Sequence, residues 1–414
     1  MERSQSKKFL YIVGAFPPLI GAGGIRAFEF SKRLINNQIY PIILTRTNHK
    51  KELINKKHFN EIPSSLQVHR TKYFPLKNIY IRELLNLFFR IDYYTDWIPF
   101  AYMKGKKILK KNKDIKFILA SGLPVSTFIV GYLLKKKFNI PLVVEYRDPW
   151  SYNPFFPKTL FWLNQKLDLI IEKQMLKLSD VIITVSPELS NFLINRFSFI
   201  KNKPIYAIAN GLNIDDERFN HQIKDKNQII FTFTGKLYGG REITPLLKII
   251  TELKKENFFE NRKFLLKIYG GYQKSLAESV KKSSIKDLVF FGGFILRSEA
   301  FNEISNSDLA VHIGENLNYP TLAFKIWDYL SLGKKILYIG REDSYTSKFL
   351  NEHNFGITLP INDLKRGKLI LKSLIEQILQ NNLNNTITKE QIRDFTWNHK
   401  YKEFQAIIYK YFFN

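Results

Sequence analysis

The residues Phe231-Thr232-Phe233-Thr234-Gly235-Lys236-Leu237-Tyr238-Gly239-Gly240-Arg241-Glu242 carry an abrupt change of period. From Ile229 to Phe233 the apolar residues alternate. From about Thr244 they recur at helical spacing, through Leu246, Leu247, Ile249, Ile250 and Leu253. The pattern predicts a strand, a glycine-bearing turn with two cations, and then a helix. In an open parallel sheet, ligands sit beyond the carboxyl ends of the strands, where helices begin with unpaired N–H groups. Lys236 and Arg241 are aimed there, among glycines that let backbone approach a ligand, and a phosphate or diphosphate is the guest that suits them. A solvated basic turn would show the same residues, so the rest of the chain has to decide.

Strand, glycine turn, helix recurs along the second half. Phe264 to Tyr269 runs into Gly270-Gly271, and Val289-Phe290-Phe291 runs into Gly292-Gly293 with Phe294 next. Leu309 to Ile313 leads through a loop to Pro320, and a helix expected from Thr321 carries Lys325 and Asp328 on one face. The amides at the start of that helix offer an anion site, and Asp328 offers an acceptor for vicinal hydroxyls such as those of a ribose. A cation for a diphosphate and a carboxylate for a ribose are what a nucleoside diphosphate requires.

The first half has the same rhythm. Phe9-Leu10-Tyr11-Ile12-Val13 reads as a buried strand, followed by Phe16-Pro17-Pro18, a glycine loop at Gly21 to Gly24, and a helix through Arg26, Phe30 and Leu34. The loop lacks the spacing of the dinucleotide fingerprint. Further strands are expected at Pro41–Leu44, Phe117–Ala120, Pro141–Val144 and Val181–Val185, the last followed by Ser186 as a helix N-cap. Glu145, Arg147 and Asp148 end a buried strand just before Pro149-Trp150, so they either face a ligand or form a structural ion-pair corner. Alternating strands and helices in both halves predict two doubly wound α/β domains.

At 414 residues the chain exceeds what one core usually supports. The expected domains are 1–212 and 213–395, with 396–414 as a helix packing back on the first and the polar stretch from Asp215 to Asn227 as linker. The net charge of +27 is uneven: residues 1–200 hold 32 Lys and Arg against 14 Asp and Glu, and the remainder 32 against 23. That excess suits a polyanionic partner for the first half. Residues 74–113 interleave aromatics with Lys77, Arg82, Arg90 and a lysine series, which is the composition of a helix lying on an anionic membrane or of a packed helix with a solvated lysine face. No cysteine is present, which excludes disulfides and thiolate metal sites and fits a reducing cytoplasm. The seven histidines have no metal-ligand spacing, and no run of apolar residues approaches the roughly 20 of a membrane span. The expectation is a cytoplasmic protein, with the inner face of the plasma membrane as its surface if it binds one.

The motifs together resemble those of the retaining glycosyltransferases of family four, built on the two-domain glycosyltransferase B fold. The resemblance rests on Phe16-Pro17-Pro18 with Gly23-Gly24-Ile25-Arg26, Arg147-Asp148-Pro149-Trp150, Asp180 to Ser186, Asn210-Gly211, Gly235-Lys236-Leu237 through Arg241, Ile268-Tyr269-Gly270-Gly271, and Lys325-Ile326-Trp327-Asp328-Tyr329-Leu330. It is strongest to members with Arg-Asp-Pro-Trp, which act in bacterial surface polysaccharide assembly. It implies two Rossmann-like domains facing each other across a cleft. It further implies transfer of a sugar from a nucleotide diphosphate donor to a hydroxyl of a glycan or lipid-linked acceptor, with configuration retained and no metal or other cofactor required. By position Lys236 and Arg241 match the family's diphosphate-holding pair, with Arg and Lys exchanged, and Asp328 stands where a ribose-contacting glutamate is usual. The preceding acidic residue of that motif falls at Pro320 and is missing, with Glu315 a substitute. The catalytic set expected is Arg147, Asp148, Lys236 and Arg241; the donor set is Gly23, Gly24, Gly235, Lys236, Arg241, Gly270, Phe294, Thr321, Lys325 and Asp328. Two rivals are a nucleotide-sugar epimerase of the same fold and a basic nucleic-acid-binding protein; the dispersed cations and lack of a binding motif argue against the second.

Overall fold

A computed structural model describes residues 7–19, 22–48, 59–72, 92, 94–153, 162–219, 228–237, 242–314, 319–380 and 386–413. The chain divides into two compact units, Met1–Gly211 with Trp397–Asn414, and Leu212–Thr396.

The first unit runs β1 (Lys8–Val13), α1 (Ala22–Asn36), β2 (Tyr40–Arg46), β3 (Gln67–Thr71), α2 (Ile98–Lys111), β4 (Ile115–Gly122), α3 (Ser126–Phe138), β5 (Leu142–Tyr146), α4 (Trp162–Leu178), β6 (Val181–Thr184), α5 (Pro187–Arg196) and β7 (Ile205–Ala207). Its sheet is parallel, in the order β3-β2-β1-β4-β5-β6-β7. The central strands are buried on both faces, which is why their sequences are continuous apolar runs. Ser186 caps α5 as expected, its hydroxyl accepting from the Leu189 N–H with Pro187 at the first helical position. Strand order reverses between β1 and β4, which marks the switch point where a doubly wound sheet opens to ligands.

The second unit runs β8 (Gln228–Lys236), α6 (Thr244–Lys255), β9 (Lys263–Gly271), α7 (Lys274–Lys281), β10 (Val289–Gly293), α8 (Arg297–Ser305), β11 (Leu309–Ile313), α9 (Phe324–Ser331), β12 (Ile336–Gly340), α10 (Tyr345–Glu352), β13 (Gly356–Pro360), α11 (Leu364–Leu379) and the short α12 (Lys389–Ile392). Its parallel sheet is ordered β10-β9-β8-β11-β12-β13, with the reversal between β8 and β11. Asp215, placed in the expected linker, is already part of this unit, its N–H donating to the Ser331 carbonyl at 3.1 Å. The closing helix, α13 (Trp397–Ile408), returns to the first unit, where Phe404 stacks on Phe30 at 5.1 Å and Trp397 meets its edge at 5.7 Å.

Two expectations about local structure are corrected. Gly23 and Gly24 lie in the first turn of α1 instead of in a loop ahead of it. The helix expected from Thr321 begins at Phe324, with Ala323 at its N-cap and no side-chain cap. Three strands, β3, β7 and β13, were not signalled.

Glu145 settles its own alternative. It is fully buried and bonded to Arg26, which is equally buried, at 2.9 Å. Arg26 also donates to the carbonyls of Ala209 at 2.8 Å and Ile208 at 3.0 Å, and Ser121 donates to the other Glu145 oxygen at 2.5 Å. Burial alone would raise the Glu145 carboxyl; Arg26, Ser121 and Arg147 outweigh it and hold the group below its usual range. One ion pair thus joins α1, β4, β5 and the strand-to-linker segment. Arg26→Met, which leaves that carboxylate buried without its cation, is expected to cost about 3–5 kcal/mol in urea unfolding of the first unit. A loss under about 1 kcal/mol would show the pair to be replaceable.

Candidate functional site

At the carboxyl edge of the second sheet, β8 and β9 stay in register to their last residues, pairing Gly235 with Gly270 and Lys236 with Gly271. Gly235 has φ +147° and Gly270 φ +112°, conformations in which other residues are strained. A Cβ on Gly270 would fall on the Gly235 carbonyl, and a Cβ on Gly235 would fall on the Lys325 ammonium. The two strand ends therefore lie side by side as bare backbone, with a cation lying across the first glycine.

Lys325 is delivered by the first turn of α9, and its Nζ donates to the Thr234 carbonyl at 2.5 Å. The helix is tied to β8 a second time by Tyr329, whose hydroxyl lies 3.3 Å from Thr234 Oγ1. Burial raises Tyr329 to about 12, so it stays a neutral hydrogen-bonding group. One turn beyond Lys325, Asp328 accepts from Arg297 of α8 at 2.6 Å with a fifth of its side chain exposed. Burial pushes its carboxyl above the ordinary range while Arg297 opposes the shift. Lys236 is exposed at the end of β8. Phe294, just after the third glycine-bearing strand end, is 75% exposed.

Of the expected donor residues, the structure thus gathers Gly235, Lys236, Gly270, Lys325 and Asp328 around the ends of β8 and β9 and the start of α9. Thr321 is buried in the segment before α9. Arg241 and Glu315 lie outside the described residues, as do residues 74–91 and 93 of the aromatic and basic stretch.

A recess of about 220 Å³ opens on the other side of the switch point, over the ends of β11, β12 and β13 and the start of α6. Glu242, Gly314, Arg341 and Asn362 are among its walls. Arg341 was missed at the sequence level, although it ends a buried strand just as Arg147 does. His312 is buried and stacked on Tyr338, a packing role. Among the described residues no group of three or more His, Asp or Glu could hold a metal ion.

In the first unit, the carboxyl edge is organised by Arg147. Its Nε donates to the Gly122 carbonyl at 2.8 Å and a second nitrogen to that of Leu123. The guanidinium lies against Gly23, where a Cβ would collide with it. Arg147 therefore spans the end of β4 and the first turn of α1, and explains the glycine in that turn. Asp148 is beside it and acts electrostatically on it.

Comparison with known proteins agrees with this architecture. Residues 24–216 match the model described as Glycosyltransferase Family 4. The chain is 24% identical to an uncharacterized glycosyltransferase of Methanocaldococcus jannaschii, over 97% of this chain and 98% of that protein. Among solved structures it is similar to sucrose-phosphate synthase of Thermosynechococcus elongatus, with 14% identity, TM-score 0.70 and 98% of each chain covered. It is also similar to the UDP-GlcNAc 2-epimerase of M. jannaschii, with 14% identity, TM-score 0.58, and 97% and 99% of the two chains covered. Two parallel-sheet Rossmann-like domains of the glycosyltransferase B type are the fold, and the family match and the curated relative support a glycosyltransferase of that type.

The glycines at the ends of β8 and β10 differ in what an added methyl would meet. Gly235→Ala is expected to lower stability by about 1–3 kcal/mol and to displace Lys325. Gly293→Ala, with φ +71° and open space around it, should cost no more than about 1–2 kcal/mol. Equal losses in denaturant titrations would contradict the assignment of Lys325 to that position.

Proposed function

We propose that the protein is a retaining glycosyltransferase that moves a sugar from a nucleotide diphosphate donor to a hydroxyl of a glycan or lipid-linked acceptor in surface polysaccharide synthesis. The observation that carries this reading is the bare backbone of the paired strand ends at Gly235 and Gly270, with Lys325 across it and Lys236 beside it. The difficult part of such a transfer is the negative charge that builds on the departing diphosphate. Fixed cations and amides placed where charge develops stabilise that state without having to reorganise. Lys236 and, by sequence, Arg241 are assigned to the diphosphate, with Lys325 holding the strand end in place. Asp328 is assigned to the ribose hydroxyls, in competition with Arg297, and Phe294 to a face of the base. Positive charge comes here from side chains, so the scheme calls on no metal. Retention is taken from the family resemblance. Acceptor binding is assigned to the first unit, with Asp148 beside Arg147 orienting the hydroxyl.

The likeness to an epimerase keeps a second reading in view, in which the donor sugar is converted without any acceptor. The family match over the first unit and the curated relative favour transfer. The two are separated by following donor consumption with and without acceptor.

Lys236→Ala is expected to lower turnover about 10²–10³-fold, the scale of losing one stabilising donor from a developing anion. Turnover at the wild-type rate in a folded variant would remove Lys236 from the mechanism.

A further inference from the structure

Glu172 sits in the middle of α4, 1% exposed. Among the described residues no cation is bonded to it. Its partners are the Tyr146 hydroxyl, which donates to Oε1 at 2.9 Å, and the Ser151 N–H, which donates to Oε2 at 3.1 Å. Those donors stand immediately before and immediately after Arg147-Asp148-Pro149-Trp150. One carboxyl group therefore holds both ends of the segment that carries the first unit's expected catalytic pair. Phe128 of α3 packs against the same two ends, its ring 4.7 Å from that of Tyr146 and 6.0 Å from that of Trp150.

An isolated buried carboxylate is costly, and a static clasp could be made by an amide at lower cost. Arg26 and Glu145 nearby show the usual solution, a buried acid matched by a buried base. What an unmatched carboxyl adds is the capacity to take a proton. We propose that Glu172 is a positioning residue for Arg147 and Asp148, and that it changes its grip on their segment when it becomes protonated. The inference rests on the assignment of that pair to the acceptor side of the reaction. With Glu172 ionised, both oxygens accept. With a proton on Oε1, that oxygen faces the Tyr146 hydroxyl as a second donor until the hydroxyl turns, and only the Ser151 bond is unchanged.

Burial raises Glu172 to about 7, against the opposing effects of its Ser151 and Tyr146 bonds and of Arg196. Arg196 belongs to α5 and lies over the Tyr152 ring, and Asp168 is one turn earlier on α4. Tyr146 itself is pushed far up by burial and by Glu172, so it does not titrate in this range. The folded state holds a proton that the unfolded chain has released above its ordinary carboxyl range. Stability from this group is therefore present at low pH and is lost as pH rises towards about 7.

The test is fluorine NMR of the full chain labelled with fluorotryptophan, with the Trp150 resonance assigned by Trp150→Phe, together with pH profiles of kcat and donor KM. The wild-type Trp150 resonance should titrate with a midpoint near pH 7, and kcat should follow it. Glu172→Gln, fixed in the uncharged state, should show a flat Trp150 resonance across that range. Glu172→Ala should lower kcat about 10–100-fold with donor KM unchanged, since Lys236, Arg241, Asp328 and Phe294, the residues assigned to the nucleotide, belong to the second unit. Should Glu172→Ala not fold, Tyr146→Phe keeps the ring packing, removes one donor, and should lower kcat in the same direction. A Trp150 resonance that still titrates in Glu172→Gln, or wild-type kcat in folded Glu172→Ala and in Tyr146→Phe, overturns the proposal. If no sugar transfer occurs in any variant while the resonance behaves as expected, it is the assigned function that fails and the clasp stands.

Discussion

A cation laid across a glycine and bonded to a main-chain carbonyl at the end of a buried strand is the contact on which both units rely. In the second unit Lys325 crosses Gly235 and bonds the Thr234 carbonyl; in the first, Arg147 crosses Gly23 and bonds the carbonyls of Gly122 and Leu123. Each arrangement requires the absence of a side chain. Each also spends part of the cation's hydrogen-bonding capacity on main-chain carbonyls at or just beyond a strand end. The result is a carboxyl edge that is positively charged and closely packed, with backbone at its surface. Such an edge is suited to an anionic ligand that must come near to main-chain atoms.

Behind these edges the units differ in how they handle buried charge. Arg26 and Glu145 neutralise each other and tie α1 to β5 and to the chain leaving the first sheet. Asp328 is less deeply placed and has an exposed partner in Arg297, so its carboxylate is available to exchange that bond for hydroxyls. Glu172 has hydrogen bonds but, among the described residues, no bonded cation. Rigid, exchangeable and proton-responsive acids thus occur in one chain, and what separates them is burial and the identity of the partner.

The architecture was legible because parallel strands covered on both faces must be apolar throughout. Phe9–Val13, Phe117–Ala120 and Leu309–Ile313 could not be mistaken for half-exposed strands. β3 was not legible because it is an edge strand: Gln67–Thr71 is at most half-buried and reads as polar. The start of α9 was misplaced for a related reason, since Ala323 gives no capping signal. Gly23 and Gly24 looked like loop residues because glycine is a poor helix former. Their place in α1 follows from a guanidinium packed against the first and the Ala15 carbonyl close to the second. Local sequence could suggest that Lys236, Lys325 and Asp328 share a site. It could not reveal that Arg297, 31 positions away, already holds Asp328, or that Glu172 holds the ends of the Arg147 segment. Those are tertiary pairings with no local pattern.

The central claim is that the edge formed by Gly235, Gly270 and α9 receives a nucleoside diphosphate. The most direct measurement is a crystal structure of the full chain soaked with uridine diphosphate or guanosine diphosphate. The account predicts the diphosphate beside Lys236 and the ribose hydroxyls on Asp328, with Arg297 displaced from it. A ligand bound elsewhere on the second unit, or that edge left empty at saturating concentration of both, would contradict it.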